Sequence, residues 1–350
     1  MKKYDIKALT REELNGLLLE KGFKECHSRE IFKAIYKKGC NDFFSIPGIP
    51  KTVQRFMTEQ FYVSNLTAKK REISQDGTQK FAISLVAGKE EENIECVYIP
   101  EDQRGTVCVS SQVGCKFGCL FCVSGRGGFV RNLTVGEMVN QVTMVDDLMG
   151  TGKVSNVVFM GTGEPLDNYD NLKGAVTILR DAQGLAIAKR KISLSTCGVV
   201  PGIERLIEDK QGLRLSVSLH SGDNKKRSAL MPINKIYPLE MLKKSVQTFS
   251  EREGLPIFFE YIMIRGVNVS REDAHSLVGF VKDLHCKINL IPYNPSPYYT
   301  WLPPEQEEID VFRTILEEAR VFYWIRKARG QDIAAACGLL KESKKLEKNQ

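Results

Sequence analysis

The sequence holds no apolar run long enough to cross a bilayer as a helix, so a helical membrane protein is excluded. Its first residues, MKKYDIKALTREE, lack the apolar segment of a secretory signal. The expected location is the cytoplasm, with no membrane partner. No internal repeat is visible, and neither sign of charge dominates. Lys and Arg total 50 against 43 Asp and Glu, a net charge of +7. Apolar residues make up 42% and charged residues 27%, an ordinary composition for a globular protein. A chain of 350 residues has room for one large catalytic domain and a small accessory one.

The modest excess of positive charge is clustered. Lys69-Lys70-Arg71, Lys189-Arg190-Lys191, Lys225-Lys226-Arg227, and Arg326-Lys327 with Arg329 form short basic runs. Such runs suit a polyanion, because each neutralised phosphate releases counterions. A solvated surface would carry the same residues. Cysteine is plentiful, with ten residues at 26, 40, 96, 108, 115, 119, 122, 197, 286 and 337. In a large cytosolic chain this points to metal ligation or thiol chemistry, not to a disulfide framework.

Four regions are expected. Residues 1–60 read as an N-terminal helical accessory domain that binds RNA. Thr10 and Glu13 have capping-box spacing, and Leu14, Leu17 and Leu18 follow on one helical face. A second helix is expected near 28–38, with Ile31, Phe32, Ile35 and Tyr36 on its apolar side. Residues 61–106 read as an extended β linker region, with strands FAISLVAG and ENIECVYI on either side of a charged turn. Residues 107–340 form the catalytic core, where VCVSSQ, SNVVFMG, KISLST, LRLSVSLHS, FFEYIMI and KINLIPY alternate with amphipathic helices. That alternation predicts an α/β fold of parallel βα units, a partial (β/α) barrel with its chemistry at the C-terminal strand ends. Residues 341–350 read as a basic, disordered tail.

The segment GCKFGCLFCVSG follows the first of these strands, with Cys115, Cys119 and Cys122 spaced C-x3-C-x2-C. Three thiolates on one short loop can ligate three irons of a [4Fe-4S] cluster. The fourth iron then stays open to chelate the amino and carboxylate groups of S-adenosylmethionine, whose reductive cleavage releases a 5′-deoxyadenosyl radical. Zinc would require a fourth ligand, and no His or Cys follows close downstream; a zinc knuckle completed from afar is the alternative. Further along, GTGEP at Gly161–Pro165 ends the second strand, where glycine lets backbone approach a ligand and Glu164 adds an acceptor. Ser195, Ser218 to His220, and Asn294 end the third, fourth and sixth strands. Singly, each is equally well read as a satisfied polar group; together they ring the expected mouth.

The spacing of the three cysteines, with Phe121 before the last, resembles the radical SAM superfamily. VCVSSQVGC, RNLTVGE, GTGEPLDN, SLSTCGVVP, SLHS, MPIN, INLIPYNP and RKARGQDIAAACG occur in this order. They resemble the bacterial dual-specificity adenine-C2 methyltransferases of that superfamily, over nearly the whole chain. The resemblance implies methylation of adenosine C2 at the peptidyl-transferase centre of 23S rRNA and beside the tRNA anticodon. It implies a [4Fe-4S] cluster on Cys115, Cys119 and Cys122. It implies two S-adenosylmethionine molecules per turnover, bound by Gly163, Glu164, Ser195, Ser218, Leu219, His220 and Asn294. Cys337 matches the cysteine that carries the methyl group, Cys108 its transient disulfide partner, and Glu95 the proton acceptor. On its strand, Glu95 alternates with Ile94 and Cys96, so a surface acid is the other reading. Expected partners are 23S rRNA, tRNA and a reducing electron donor such as flavodoxin, acting on a monomer.

The chemistry explains the need for such residues. Adenine C2 lies between two ring nitrogens and is too electron-poor to attack a sulfonium methyl, but a carbon radical can add to it. Three positions depart from the family pattern: Thr162 stands where Met is frequent, and Ala334 and Leu339 stand where an acid and Gln are common. The rival readings are the adenine-C8 methyltransferase of the antibiotic-resistance type and a non-catalytic RNA-binding protein with a structural cluster.

Overall fold

The computed structural model describes residues 3–87, 90–102, 104–296 and 298–340. The expected basic tail at 341–350 and part of the charged turn, at Lys89, lie outside these residues. The chain opens with β1 (Tyr4–Asp5), α1 (Arg11–Glu20), α2 (Glu25–Lys38) and α3 (Lys51–Gln60), and β2 (Phe61–Tyr62) pairs parallel with β1. The capping box expected at Thr10 is present: its N–H donates to Glu13 Oε2 at 2.7 Å, and Glu13 N–H donates to Thr10 Oγ1 at 3.3 Å. Leu14 and Leu18 are buried, but Leu17 is exposed. The i, i+4 pair defines the buried stripe of this short helix, and Leu17 falls outside it. The second helix begins three residues before its expected start and ends at Gly39.

Next come β3 (Ala68–Ile73), β4 (Gln79–Ala87), β5 (Glu90–Glu101) and β6 (Arg104–Cys108), an antiparallel meander. The 61–106 stretch thus contributes three strands to the same sheet as the catalytic core. A small hairpin, β7 (Gln112–Gly114) with β8 (Phe129–Asn132), frames the cysteine loop. Parallel βα units follow: α4 (Val135–Met149), β9 (Val154–Phe159), α5 (Tyr169–Arg180), β10 (Ile192–Thr196), α6 (Val200–Asp209) and β11 (Arg214–Ser218). After them come α7 (Asn224–Leu230), α8 (Leu239–Glu253), β12 (Ile257–Met263), α9 (Arg271–Val281), β13 (Cys286–Pro292), α10 (Gln306–Glu318) and β14 (Tyr323–Ile325). β14 adds a parallel strand to β13 that sequence reading did not name.

The ten-stranded sheet runs β14-β13-β12-β11-β10-β9-β6-β5-β4-β3. β3 and β14 are its two edges, so the barrel is open. Strand periodicity sorts the side chains. Val157, Phe159, Ile192, Leu194, Leu215, Val217, Phe259, Tyr261, Ile288 and Leu290 are buried in one apolar core with helix residues such as Leu172, Ile203, Leu242 and Phe312. The alternate positions of the same strands include Ser193, Ser195, Ser216, Ser218, Glu260 and Asn289 beside Ile262 and Ile291. A closed barrel fills its inside with layers of Val, Ile and Leu; here the inner face mixes polar groups among apolar ones and leaves a cleft. The N-terminal module shares the main core through Ile6, Leu14 and Leu18. Buried Lys7 fixes it to α4, with Nζ donating to Asn140 Oδ1 at 2.7 Å.

Candidate active site

At the C-terminal strand ends lies a half-open cleft. Cys115, Cys119, Cys122, Gly163, Glu164, Ser195, Ser218, His220 and Cys337 all line it. Sequence elements far apart in the chain therefore converge as expected.

The cysteine loop is held through its backbone. Cys115 N–H donates to Gly128 O at 2.9 Å, Leu120 N–H to Leu230 O at 3.0 Å, and Val123 N–H to Gly338 O at 2.9 Å. Phe121 meets the His220 ring edge-on at 4.5 Å between centroids. His220 sits at φ 58°, with Nδ1 accepting from Ile262 N–H at 2.9 Å. Burial and then the Arg227 charge lower its pKa to about 3, so it is a neutral imidazole with its proton on Nε2. Gly163 has φ 100°, and a Cβ there would lie 2.5 Å from Gln112 Cβ; no other residue fits. Next to it Glu164 is buried, accepting from Cys197 N–H at 2.7 Å and Leu166 N–H at 3.0 Å. Burial raises its pKa against these bonds. Thr162, a departure from the family pattern, places its hydroxyl 3.4 Å from Ser124 Oγ and so joins GTGEP to the cysteine loop.

Cys337 reaches the cleft on the segment after β14. Gly338 adopts φ 83°, the turn expected of it. Asp332 accepts from Ser74 Oγ at 2.6 Å and Gln75 N–H at 3.2 Å, and Asp76 accepts from Gly330 N–H at 3.0 Å. Asn294 does not line the cleft: its Oδ1 accepts from Gln331 Nε2 at 2.7 Å, and its Nδ2 donates to Cys337 O at 3.4 Å. Leu339 is buried with Val123 and Ala336, and Ala334 packs beside them, so these two departures serve an apolar anchor. The accessible surface of Cys337 faces the cleft. Burial pushes its thiol up, while Arg326 pulls the other way.

Cys108 ends β6 opposite Val97 and Val158. Burial pushes its thiol up to about 12, and the nearness of Cys337 adds to the shift. Both cysteines are free thiols. Glu95 precedes Val97 by two residues and so shares the face of Cys108. It is 8% exposed and lies 3.3 Å from Lys80 Nζ, which rules out a surface acid. Leu219 does not line the cleft. Its side chain is in the core, its N–H donates to Glu260 O, and its carbonyl accepts from Arg227 Nε at 3.2 Å.

Sequence reading gave no site role to several cleft residues and misread Arg227. Cys197, Glu260 and Arg326 line the cleft. Glu260 accepts from Asn289 Nδ2 at 2.8 Å. Its signal was a lone acid inside the apolar strand FFEYIMI. Arg227 was grouped with a basic surface run but is fully buried. Its guanidinium donates to Cys197 O at 2.8 Å, Ser218 O at 3.1 Å, Leu219 O at 3.2 Å and Asn234 Oδ1 at 2.7 Å. It ties the ends of β10 and β11 together, so that run is not a phosphate patch; its neighbour Lys226 is paired with Asp273 at 2.7 Å.

The radical SAM superfamily model matches residues 109–278, from the end of β6 to α9. A dual-specificity RNA methyltransferase RlmN from Desulfotalea psychrophila is 39% identical over 347 residues, covering 97% of this chain and 95% of the relative. One from Gluconobacter oxydans is 40% identical, covering 96% and 85%. The chain belongs to the RlmN family. A solved radical SAM methyltransferase from Sphaerobacter thermophilus has the same fold, with TM-score 0.88, 36% identity, and coverage of 96% of this chain and 98% of that one. RlmN proteins, as radical SAM enzymes, use a [4Fe-4S] cluster and S-adenosylmethionine.

The residues present fit these groups. Among the described residues no three His, Cys, Asp or Glu side chains converge closely enough for a single metal ion. A cubane spreads its thiolates further apart, since each binds a different iron. Burial pushes Cys115 up to about 12 and raises Cys119 well above the usual thiol value, so these thiolates need a cationic centre to lose their protons.

Proposed function

We infer that the protein is a radical SAM RNA methyltransferase that methylates C2 of adenosine in 23S rRNA and tRNA. The observation that carries this reading is the meeting of Cys337 and the three-cysteine loop at one cleft, joined by the Val123 to Gly338 hydrogen bond. The relatives named dual-specificity RNA methyltransferase support the substrate class.

Cys115, Cys119 and Cys122 hold the cluster. When bound, it supplies reductive cleavage of S-adenosylmethionine to a 5′-deoxyadenosyl radical. Gly163, Glu164, Ser195, Ser218 and His220 contact that cofactor from the strand ends; Leu219 and Asn294 act through the backbone and the carrier segment. Cys337, as thiolate, takes a methyl group, and the Arg326 guanidinium beside it favours the thiolate. That methyl, delivered by one S-adenosylmethionine, would give a hydrogen atom to the radical derived from a second, and the carbon left on Cys337 would bond to adenine C2. Glu95 removes the C2 proton, oriented by Lys80 Nζ at 3.3 Å. Cys108 would then attack the Cys337 sulfur: the sulfur–methylene bond breaks, the base takes a proton and leaves as the methylated product, one electron passes back to the cluster, and a disulfide remains.

Residues 1–60 and the exposed basic runs bind RNA, and residues 107–340, with Glu95 from β5, carry out the chemistry. The target adenosine leaves its stack to reach the cleft. A donor of the flavodoxin kind reduces the cluster of a monomeric, cytoplasmic enzyme. The test is anaerobic incubation with reductant, S-adenosylmethionine and unmodified RNA, followed by mass spectrometry of nucleosides. The expected products are 5′-deoxyadenosine and 2-methyladenosine. The first without the second, or methyl at C8, would overturn the reading.

A further inference from the structure

The concave face of β14 has features that the methyl-transfer reading does not use. β14 is an open edge of the sheet, and edge strands with exposed apolar side chains invite association unless they have a use. Yet Phe322 is 54% exposed and Trp324 42%. Alternation places Phe322, Trp324 and Arg326 on one face, and Arg326 lines the cleft. The register confirms which face. Trp324 lies opposite Asn289, Asn289 lies opposite Glu260, and Glu260 lines the cleft. Lys287, two residues before Asn289, places Nζ 5.3 Å from the Phe322 ring and 5.2 Å from the Trp324 ring. The rings meet edge-on at 4.7 Å. From Phe322 to Gly330 the chain has Arg326, Lys327 and Arg329 and no acid, and residues 324–329 are all exposed.

We propose that this face is a stacking platform for a single-stranded segment of the RNA substrate, next to the base held in the cleft. The aromatic rings take a base by its π-face, which every base offers. Lys287, Lys327 and Arg329 answer the phosphates. Two strand spacings, about 10 Å, separate Trp324 from Glu260, so the platform serves a flanking nucleotide and not the adenosine being methylated. The proposal rests on the reading of RNA as substrate. It adds an entry side: the strand arrives over the open edge of the barrel.

The chain has two tryptophans, Trp301 and Trp324, which makes fluorescence a direct test. Cluster-loaded protein is titrated anaerobically, at fixed salt, with an unmodified tRNA transcript. Stacking quenches the wild type, and the quenching disappears in W324F while affinity stays close to normal. The exposed double variant F322A/W324A binds the transcript about tenfold more weakly. Its cluster absorbance and RNA-independent 5′-deoxyadenosine formation are unchanged. Wild-type affinity in the double variant, or full quenching in W324F, overturns the platform. So does a concentration-dependent dimer that the double variant lacks, which would assign the face to a second copy of this chain. If the double variant loses its cluster, the W324F result decides alone. Wild-type protein that cleaves S-adenosylmethionine but binds no RNA overturns the substrate reading itself.

Discussion

Two segments deliver cysteines to the same cleft, and they are held differently. The 115–122 loop is fastened by main-chain bonds to β8, to α7 and to the carrier segment. It rests on an apolar cluster of Leu230, Met231, Ile233 and Ile264. The carrier segment around Cys337 adds polar side-chain contacts to its apolar anchor on Val123: Asp332 on Ser74 and Gln75, Asp76 on Gly330, and Gln331 on Asn294. The contrast follows from the work of each. A cluster must stay still, because three thiolates share one rigid body. On the proposed mechanism, Cys337 must face a methyl donor, then a base, then Cys108, and solvent-exchangeable bonds would let it move.

Removing part of the fixed segment has the largest effect. Cys119→Ala should abolish iron content, colour and 5′-deoxyadenosine together, measured by iron analysis and chromatography. Full iron content in that variant would disprove the ligand assignment. Cys337→Ala separates the two halves: cluster and cofactor cleavage persist, and RNA methylation vanishes. Cys108→Ala should trap RNA crosslinked to Cys337, seen as a shifted band in a denaturing gel. Lower activity with no adduct would make Cys108 structural.

Arg227→Lys is expected next. A lysine cannot serve four acceptors in a planar fork, so the ends of β10 and β11 loosen. Affinity for S-adenosylmethionine should fall at least tenfold while iron content is retained, read by equilibrium binding. Unchanged affinity would mean that Arg227 only fills space. The smallest effect belongs to the carrier dock. Asp332→Ala should slow methylation several-fold and leave S-adenosylmethionine cleavage intact. Its pH dependence is set by Asp76. Burial would raise that carboxyl, but bonds from Thr78, Gly330 and Ser74 outweigh it and hold the pKa near 2. A depressed carboxyl stabilises docking fully above its unfolded pKa, about 4. It loses that stabilisation as pH falls through about 2. Hydrogen exchange at residues 330–338 should therefore show a docked segment from pH 5 upward, with release only in strong acid. Release between pH 6 and 8 would assign the dock to other groups.

The same comparison explains what the sequence disclosed. Cys115, Cys119 and Cys122 lie within one loop, so their spacing already encodes their geometry. The strand and helix alternation of 107–340 was legible because each βα unit is local. The carrier dock was not: Ser74 and Asp76 lie far from Asp332 and Gly330 in sequence, and no spacing joins them. Arg227 misled because a buried guanidinium and a solvated one look alike in a Lys-Lys-Arg run. Only the four carbonyl and amide acceptors, brought by three other segments, make burial tolerable. Glu260 was hidden because it is the lone polar side chain of its strand, with Phe258 and Ile262 on its own face and Phe259 and Tyr261 on the other.

Because the strands from β9 to β14 add one by one in the order of the chain, the barrel has a direction of growth. Each new βα unit finds its neighbour already laid down, which keeps the contacts short in sequence and favours folding during synthesis. The cluster loop emerges early and the methyl carrier after every strand is placed. A chain ending at Ile325 should therefore still accept about four irons on anaerobic reconstitution, because everything that cradles the cysteines except the carrier has been made. Failure to load would mean that the carrier segment is itself a wall of the cluster chamber. On this view the active site is closed by a segment translated after the last strand, and iron and sulfide have their access before the reactive thiol arrives.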